Sequence, residues 1–275
     1  MSPDLRELSY FGEYDFELGG QYIGELVRST PVRHIDFRYE YYPGPGEILS
    51  FSIFQKEFKR PMEIYKLGDN RVYRLKNNAC ANNLGFEVEM RKSMGFTKVP
   101  VLKNITLYGN FTALRSKVKT GFSSIGGSED GKYLIVIDSV GKEEKRPQTG
   151  VSNYMVNAGA YYETKRFSLS LAYNYVTNRM YRPVELYAES LYERPLEALD
   201  GQIAFRFFRQ KAELRLSVSN LLNSYSIVYQ NTYTAEELAR ENPSTKSLLY
   251  KKGQDLIDYE ARPGRTYSTT LSFSF

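Results

Sequence analysis

The side chains that most often carry chemistry are scarce in this chain. It has one cysteine, Cys80, and one histidine, His34. A single cysteine makes no intramolecular disulfide, and no thiol or imidazole lies near Cys80 in sequence to complete a metal-ligand pair. His34 opens the alternating run His34-Ile35-Asp36-Phe37-Arg38 and reads as a polar residue at a strand end. A Cys–His dyad would need these two residues to meet with no third group to orient them. Glu87 and Glu89 are two apart, so a strand puts both carboxylates on one face, as an acid–base pair requires. Arg91 shares that face, which makes a wet, charged surface the simpler reading.

The run Gly126-Gly127-Ser128-Glu129-Asp130-Gly131-Lys132 has the glycine spacing of a phosphate loop. Tyr133 stands where that motif needs Ser or Thr, and no helix follows to aim amide dipoles at a phosphate. It reads as a flexible acidic loop, and Glu129 and Asp130 lack calcium-loop spacing. Asn104-Ile105-Thr106 and Asn110-Phe111-Thr112 match the glycosylation sequon but fall inside a strand. There is no Gly-x-Ser-x-Gly, His-Glu-x-x-His or cysteine pair. The chain is therefore expected not to be an enzyme, and no cofactor or metal is expected.

What must hold these residues is β structure. The 275 residues include 24 Tyr and 16 Phe and no Trp, a composition that favours strands. No apolar run approaches the length of a membrane-spanning helix, which leaves membrane-crossing strands open, because these are only half apolar. The net charge is +5, with Lys and Arg scattered among 32 acids, so nucleic acid is not an expected partner.

Alternation with a period of two dominates the chain. In the last segment Tyr267, Thr269, Leu271, Phe273 and Phe275 alternate with Ser268, Thr270, Ser272 and Ser274. The same pattern recurs over 35–41, 49–53, 84–90, 105–113, 156–162, 169–175, 203–207 and 214–218. Each such segment has one dry and one wet face. With a tenth strand near Tyr14-Asp15-Phe16-Glu17-Leu18, this predicts about 9–10 strands. Short connections at Pro43-Gly44-Pro45-Gly46, Glu163-Thr164-Lys165 and Arg209-Gln210-Lys211 alternate with long polar stretches at 59–82, 117–150, 181–199 and 231–264. A helix is predicted after Tyr229, capped by Thr234, with Glu237 completing a capping box and Pro243 ending it. Outer-membrane barrels sort their connections in this way, with short periplasmic turns and long external loops. Tyr41, Tyr42, Tyr162, Tyr175, Tyr181 and Tyr267 near strand ends fit an interfacial aromatic girdle. The predicted fold is all-β: an antiparallel up-and-down transmembrane β-barrel, partial, over 1–275 without a domain break.

These residues resemble a family, the TonB-dependent outer-membrane receptors, in particular those of Bacteroidota. Gly264-Arg265-Thr266-Tyr267 through Phe275 is similar to its last strand. Leu216-Ser217-Val218-Ser219-Asn220-Leu221-Leu222-Asn223 resembles its penultimate strand, with Leu222 in place of the usual Phe. Tyr39 to Ile48, around Pro43-Gly44-Pro45-Gly46-Glu47, resembles a periplasmic turn of these proteins, as does Arg6-Glu7-Leu8-Ser9 to Glu17. Asn83 to Glu89 resembles a Gly-x-Glu-x-Glu strand.

The resemblance implies a segment of barrel wall from an energised transporter of a scarce, bulky nutrient: siderophore-iron, a corrinoid, an oligosaccharide or a peptide. It implies contact with the outer-membrane bilayer, and with the TonB complex only through a plug domain. Tyr267, Leu271, Phe273 and Phe275 would form the C-terminal signal read by the barrel-assembly machinery. Family members also carry a signal peptide, an energy-coupling box, a plug and about 22 strands. Met1 to Glu7 lacks the basic and apolar regions of a signal peptide, which taken literally keeps the chain in the cytoplasm. The expectation is a C-terminal part of a receptor, located in the outer membrane, from a truncated gene or split reading frame. An open half-barrel leaves two strand edges unpaired, so it must pair with a complementary fragment or close into a narrower barrel. Two other readings remain: a small self-contained outer-membrane barrel with an adhesive or structural role, and a soluble β-sandwich binding module. The sandwich requires the apolar faces to be sealed against a second sheet.

Overall fold

A computed structural model of the protein describes residues 12–15, 18–23, 27–67, 71–127, 134–144, 146–184, 190–233 and 248–274. The strands in chain order are β1 (Gly12–Asp15), β2 (Gly20–Ile23), β3 (Val32–Tyr41), β4 (Ile48–Lys59), β5 (Met62–Lys66), β6 (Val72–Asn77), β7 (Cys80–Ser93), β8 (Ile105–Gly127) and β9 (Leu134–Glu144). There follow β10 (Tyr154–Glu163), β11 (Phe167–Val176), β12 (Arg179–Arg182), β13 (Leu191–Glu193), β14 (Leu196–Phe207), β15 (Ala212–Ser219), β16 (Ser226–Gln230), β17 (Leu256–Ala261) and β18 (Thr266–Phe273).

Nine of these make one wall in the order β3-β4-β7-β8-β10-β11-β14-β15-β18. Every neighbouring pair in it is antiparallel. They contain the nine segments that alternation predicts. The path is open among the described residues, with β3 and β18 at its two ends. The tenth strand of this sheet is β9, which pairs with the far end of the 23-residue β8. The predicted strand near Tyr14 instead yields β1, which joins a separate sheet, β1-β2-β6-β5.

Burial in the wall is the reverse of that in a water-soluble sheet. On β4, Leu49, Phe51 and Ile53 are 47%, 40% and 46% exposed, while Ser50 and Ser52 between them are 2% and 3% exposed. On β7, Leu84 and Phe86 are exposed while Asn83 is buried; on β14, Ile203 and Phe205 flank the buried Ala204. Among the described residues the dry faces are therefore not sealed against a second sheet, which excludes the sandwich arrangement. On the inner face Phe54 and Tyr108 lie over cross-strand glycines. A Cβ at Gly85 would stand 2.6 Å from the Phe54 ring, and one at Gly159 would stand 2.3 Å from that of Tyr108.

The connections sort by end. Residues 42–47, 94–104, 164–166 and 208–211 join strands at one end, and the long stretches lie at the other. Those stretches are not bare loops. Two of them contribute β5 with β6 and β12 with β13, and a third contributes β16 and β17 to a further sheet, β12-β13-β16-β17. Alternation in Met62-Glu63-Ile64-Tyr65-Lys66 is the signal for β5, and its shortness hides it among charges. The conventional apolar cores lie in these two small sheets. One packs Tyr22, Val27, Tyr73 and Leu75; the other packs Met180, Tyr192, Ile227 and Tyr229. Burial of Tyr229, with Asp255 near it, pushes its phenol far above the ordinary range. The helix predicted from Thr234 to Pro243 lies outside the described residues.

Candidate functional site

The inner face of the wall is lined by paired charges rather than by a catalytic set. Glu89 accepts from Arg38 Nη2 at 2.8 Å, and Arg38 also reaches Glu40 at 2.5 Å. Glu89 is thus tied to a guanidinium rather than paired with Glu87. Arg206 bridges Glu213 at 3.0 Å and Glu163 at 3.1 Å. Arg91 donates to the Tyr161 hydroxyl at 2.6 Å, and Asn157 donates to Asn110 at 2.7 Å. The inner face is a hydrogen-bonded lining, as a water-filled lumen needs.

At the long-connection end, the stretch after β9 folds back over this lining. Gln148 receives a bond from Asn83 Nδ2 at 3.2 Å, and its amide donates to Ser116 Oγ at 2.9 Å. Beside it Arg146 Nη2 meets Glu63 Oε2 at 2.9 Å, with both side chains 1% exposed. Asn78 Nδ2 at 2.6 Å and the Thr149 amide at 2.7 Å complete the carboxylate's shell. The buried charge is fully paired, and the pair fixes the loop to β5.

The two small sheets meet next to this anchor. The Lys66 amide donates to Pro183 O at 3.1 Å, and Lys66 bridges Val184 in parallel. Between them lies a cleft of about 520 Å³, with Lys66, Arg71, Tyr73, Tyr181, Arg182 and Asp258 in its walls. Lys66 Nζ stands 3.4 Å from Asp258 Oδ1. The Arg182 guanidinium lies over Tyr73 at 5.2 Å and over Tyr181 at 4.9 Å. Burial pushes the Tyr73 phenol up, so it stays protonated and able to donate. Among the described residues three cations stand against one carboxylate, which makes this lining positive. Such walls hold an anion by charge and an aromatic group by stacking. Sequence reading marks the stretches 59–82, 181–199 and 231–264 but no residue within them. Only the fold brings Lys66, Arg182 and Asp258 together from three separate connections.

Tyr267, Leu271 and Phe273 on β18 point outward and are exposed, at 72%, 54% and 58%. Phe275 lies outside the described residues, as do Ser128 to Tyr133 of the glycine-rich loop. His34 lies within β3, 3.6 Å from Asp36, and Cys80 opens β7 as a free thiol. In the turn at Pro43 to Glu47, the Glu47 carboxylate accepts from Lys92 Nζ at 2.7 Å and from the Ser93 amide at 3.2 Å. The Lys92 ammonium holds that carboxyl below the usual glutamate range.

No protein-family model matches the sequence, and a search of curated proteins finds no match. The fold, however, is similar to solved structures. The ferric citrate transporter FecA aligns with a TM-score of 0.54 at 12% identity, over 88% of this chain and 31% of FecA. A variant of the ferric enterobactin receptor PfeA from Pseudomonas aeruginosa aligns with a TM-score of 0.53 at 16% identity, over 100% of this chain and 36% of PfeA. The siderophore receptor PirA from Acinetobacter baumannii aligns with a TM-score of 0.53 at 14% identity, over 93% of this chain and 33% of PirA. The chain spans about a third of the length of these structures. The alignments cover most of an open, antiparallel wall that is polar inside and apolar outside. The chain has the fold of part of the barrel of TonB-dependent outer-membrane receptors.

Proposed function

We propose that residues 1–275 supply the C-terminal barrel wall of a TonB-dependent outer-membrane receptor that takes up a scarce, bulky nutrient. The plug domain and the N-terminal strands lie outside this sequence in that reading, and the TonB complex acts through the plug. The observation that carries it is the reversed burial: Phe51 and Ile53 open, Ser50 and Ser52 shut away. In water this arrangement wastes apolar burial; in hydrocarbon it is the stable one. The long connections then face outward, and the cleft between the small sheets lies where a nutrient first arrives. Its lining favours an anionic chelate over an oligosaccharide. Tyr267, Leu271, Phe273 and Phe275 serve as the assembly signal in this reading.

The test uses the complete receptor that contains this segment. It should fractionate with the outer membrane and migrate differently before and after boiling. Uptake of a labelled ferric chelate should fall roughly tenfold or more in Arg71→Ala with Arg182→Ala, the loss expected for two charge-assisted contacts. A protein that stays monodisperse without detergent overturns the reading.

A further inference from the structure

The outer face of the wall is not uniformly apolar. At the long-connection end of β3, β4, β7 and β8, the exposed side chains turn cationic. Register places Arg33, Glu57, Asn82 and Lys117 side by side across the four strands. Three strand spacings make this row about 14 Å wide. One step further out stand Lys59 and Cys80; one step further in, Arg115 is opposite Leu84. Arg33, Lys59, Arg115 and Lys117 are all exposed, and none makes an ion pair among the described residues. Lys119 continues the β8 series and has Glu143 opposite it in register. At the same end, β10, β11, β14, β15 and β18 present Tyr154, Tyr175, Glu197, Val218 and Tyr267, and the exposed Arg265, two residues before Tyr267, is held by a bond from its Nε to Leu221 O at 2.8 Å. Arg33, Lys59, Arg115 and Lys117 make no such contact and form one cluster.

Directly below the cations the surface is recessed. Phe51, Ile53, Leu84, Phe86, Ala113 and Tyr154 line an open groove of about 530 Å³, and Arg115 forms its rim. The groove exists because Ala113 is small between Phe86 and Tyr154. Free cations above an apolar trough are complementary to one kind of molecule: a phosphate on acyl chains. We propose that this sector holds a membrane lipid whose phosphate headgroup is net anionic, with a chain in the groove and the phosphate between Arg115 and Lys117. The inference rests on the outer-membrane reading above, which makes this rim the external one.

The complete receptor, purified in mild detergent, is mixed with micelles containing phosphatidic acid or phosphatidylcholine of matched chains. Retained lipid is counted by native mass spectrometry. Phosphatidic acid should be retained at least about tenfold more than phosphatidylcholine, given the worth of several cations near an anionic headgroup. Arg115→Gln with Lys117→Gln should abolish the preference. Ala113→Phe, which fills the groove, should cut retention several-fold with the cations intact. Millimolar inorganic phosphate should not displace the lipid. Equal retention of the two lipids, an unaffected double variant, or displacement by free phosphate overturns the proposal. Where the double variant loses heat-modifiable mobility, Ala113→Phe decides alone. A protein that never enters micelles overturns the receptor reading as well; one that enters them without headgroup preference overturns this proposal only.

Discussion

Asn220 reaches across 44 residues to Gly264: its side-chain amide donates to Gly264 O at 2.9 Å and to Ser224 O at 2.8 Å. Its carboxamide oxygen accepts from the Ser224 amide at 2.7 Å, and its own amide donates to Asp200 at 2.8 Å. Asn220 sits at φ 56°, a left-handed position that Asn tolerates better than most residues. Arg265 Nε closes the same corner on Leu221 O at 2.8 Å. The Asn220-to-Asn223 motif and the Gly264-Arg265 pair are therefore two halves of one joint. It ends β15 and starts β18 in the register that aligns Val218 with Tyr267. Asn220→Ala strands the partners and adds backbone strain, a loss of about 1–3 kcal/mol. Asn220→Gly keeps the backbone and should lose less. Hydrogen exchange at Thr266 and Tyr267 reads the result, and unchanged protection in Asn220→Ala would refute the joint.

Arg146 and Glu63 form an ion pair with both side chains 1% exposed. Removing one partner of a buried pair leaves the other uncompensated, at a cost of about 3–5 kcal/mol. Arg146→Ala should therefore expose the stretch 146–152 to protease while the wall remains folded. Cleavage kinetics there should rise by two orders of magnitude or more relative to the parent, on the order of the Boltzmann factor for that loss. Equal kinetics would mean that the loop is held by Gln148 and its neighbours instead.

How far sequence alone reached depended on element length. Strands such as β4 and β18 show at least five successive alternating residues, and all nine wall strands are legible on that pattern. The dry sides are legible too, because Phe51 and Ile53 bracket Ser52 whatever the solvent. The small sheets are less so. β12 and β13 have four and three residues, too few for a period to register against the surrounding charges. The cleft is illegible for a further reason. Lys66, Arg182 and Asp258 are distant in sequence, and no local spacing encodes their meeting. The Asn220 motif is legible as a resemblance, and its physical cause is the bond to the Gly264 carbonyl, which only the fold supplies.

The turn at Pro43 to Glu47 should respond to acid. The Glu47 carboxyl is held below its ordinary value of 4.5 by Lys92 and the Ser93 amide. A lowered carboxylate contributes stability that is full above the unfolded value and is lost as pH falls through the folded one. The protection factor of the Ser93 amide should therefore be flat from neutral pH down to about 5 and decline below about 4. Glu47→Gln should remove the decline and lower the neutral plateau. A protection factor that instead rises on acidification would reverse the sign of this contact.

The reading of the two faces is most sharply tested on adjacent residues. Phe51 and Ser52 differ by one position and point to opposite sides of β4. Phe51 lies mid-belt, in register with Tyr39 on one side and Val88 on the other. An arginine there meets hydrocarbon and should cost about 2–4 kcal/mol if Phe51 is near the bilayer midplane. Were this face wet, Phe51→Arg would be nearly neutral, because a side chain 40% exposed loses little on becoming charged. Ser52→Arg is costly in either solvent, since Ser52 is 3% exposed and packed among inner-face groups, so it serves as the control. Urea titration of the receptor refolded into vesicles separates the two cases. A Phe51→Arg variant as stable as its parent would mean that lipid never touches β4, and the apolar belt would then need a protein partner.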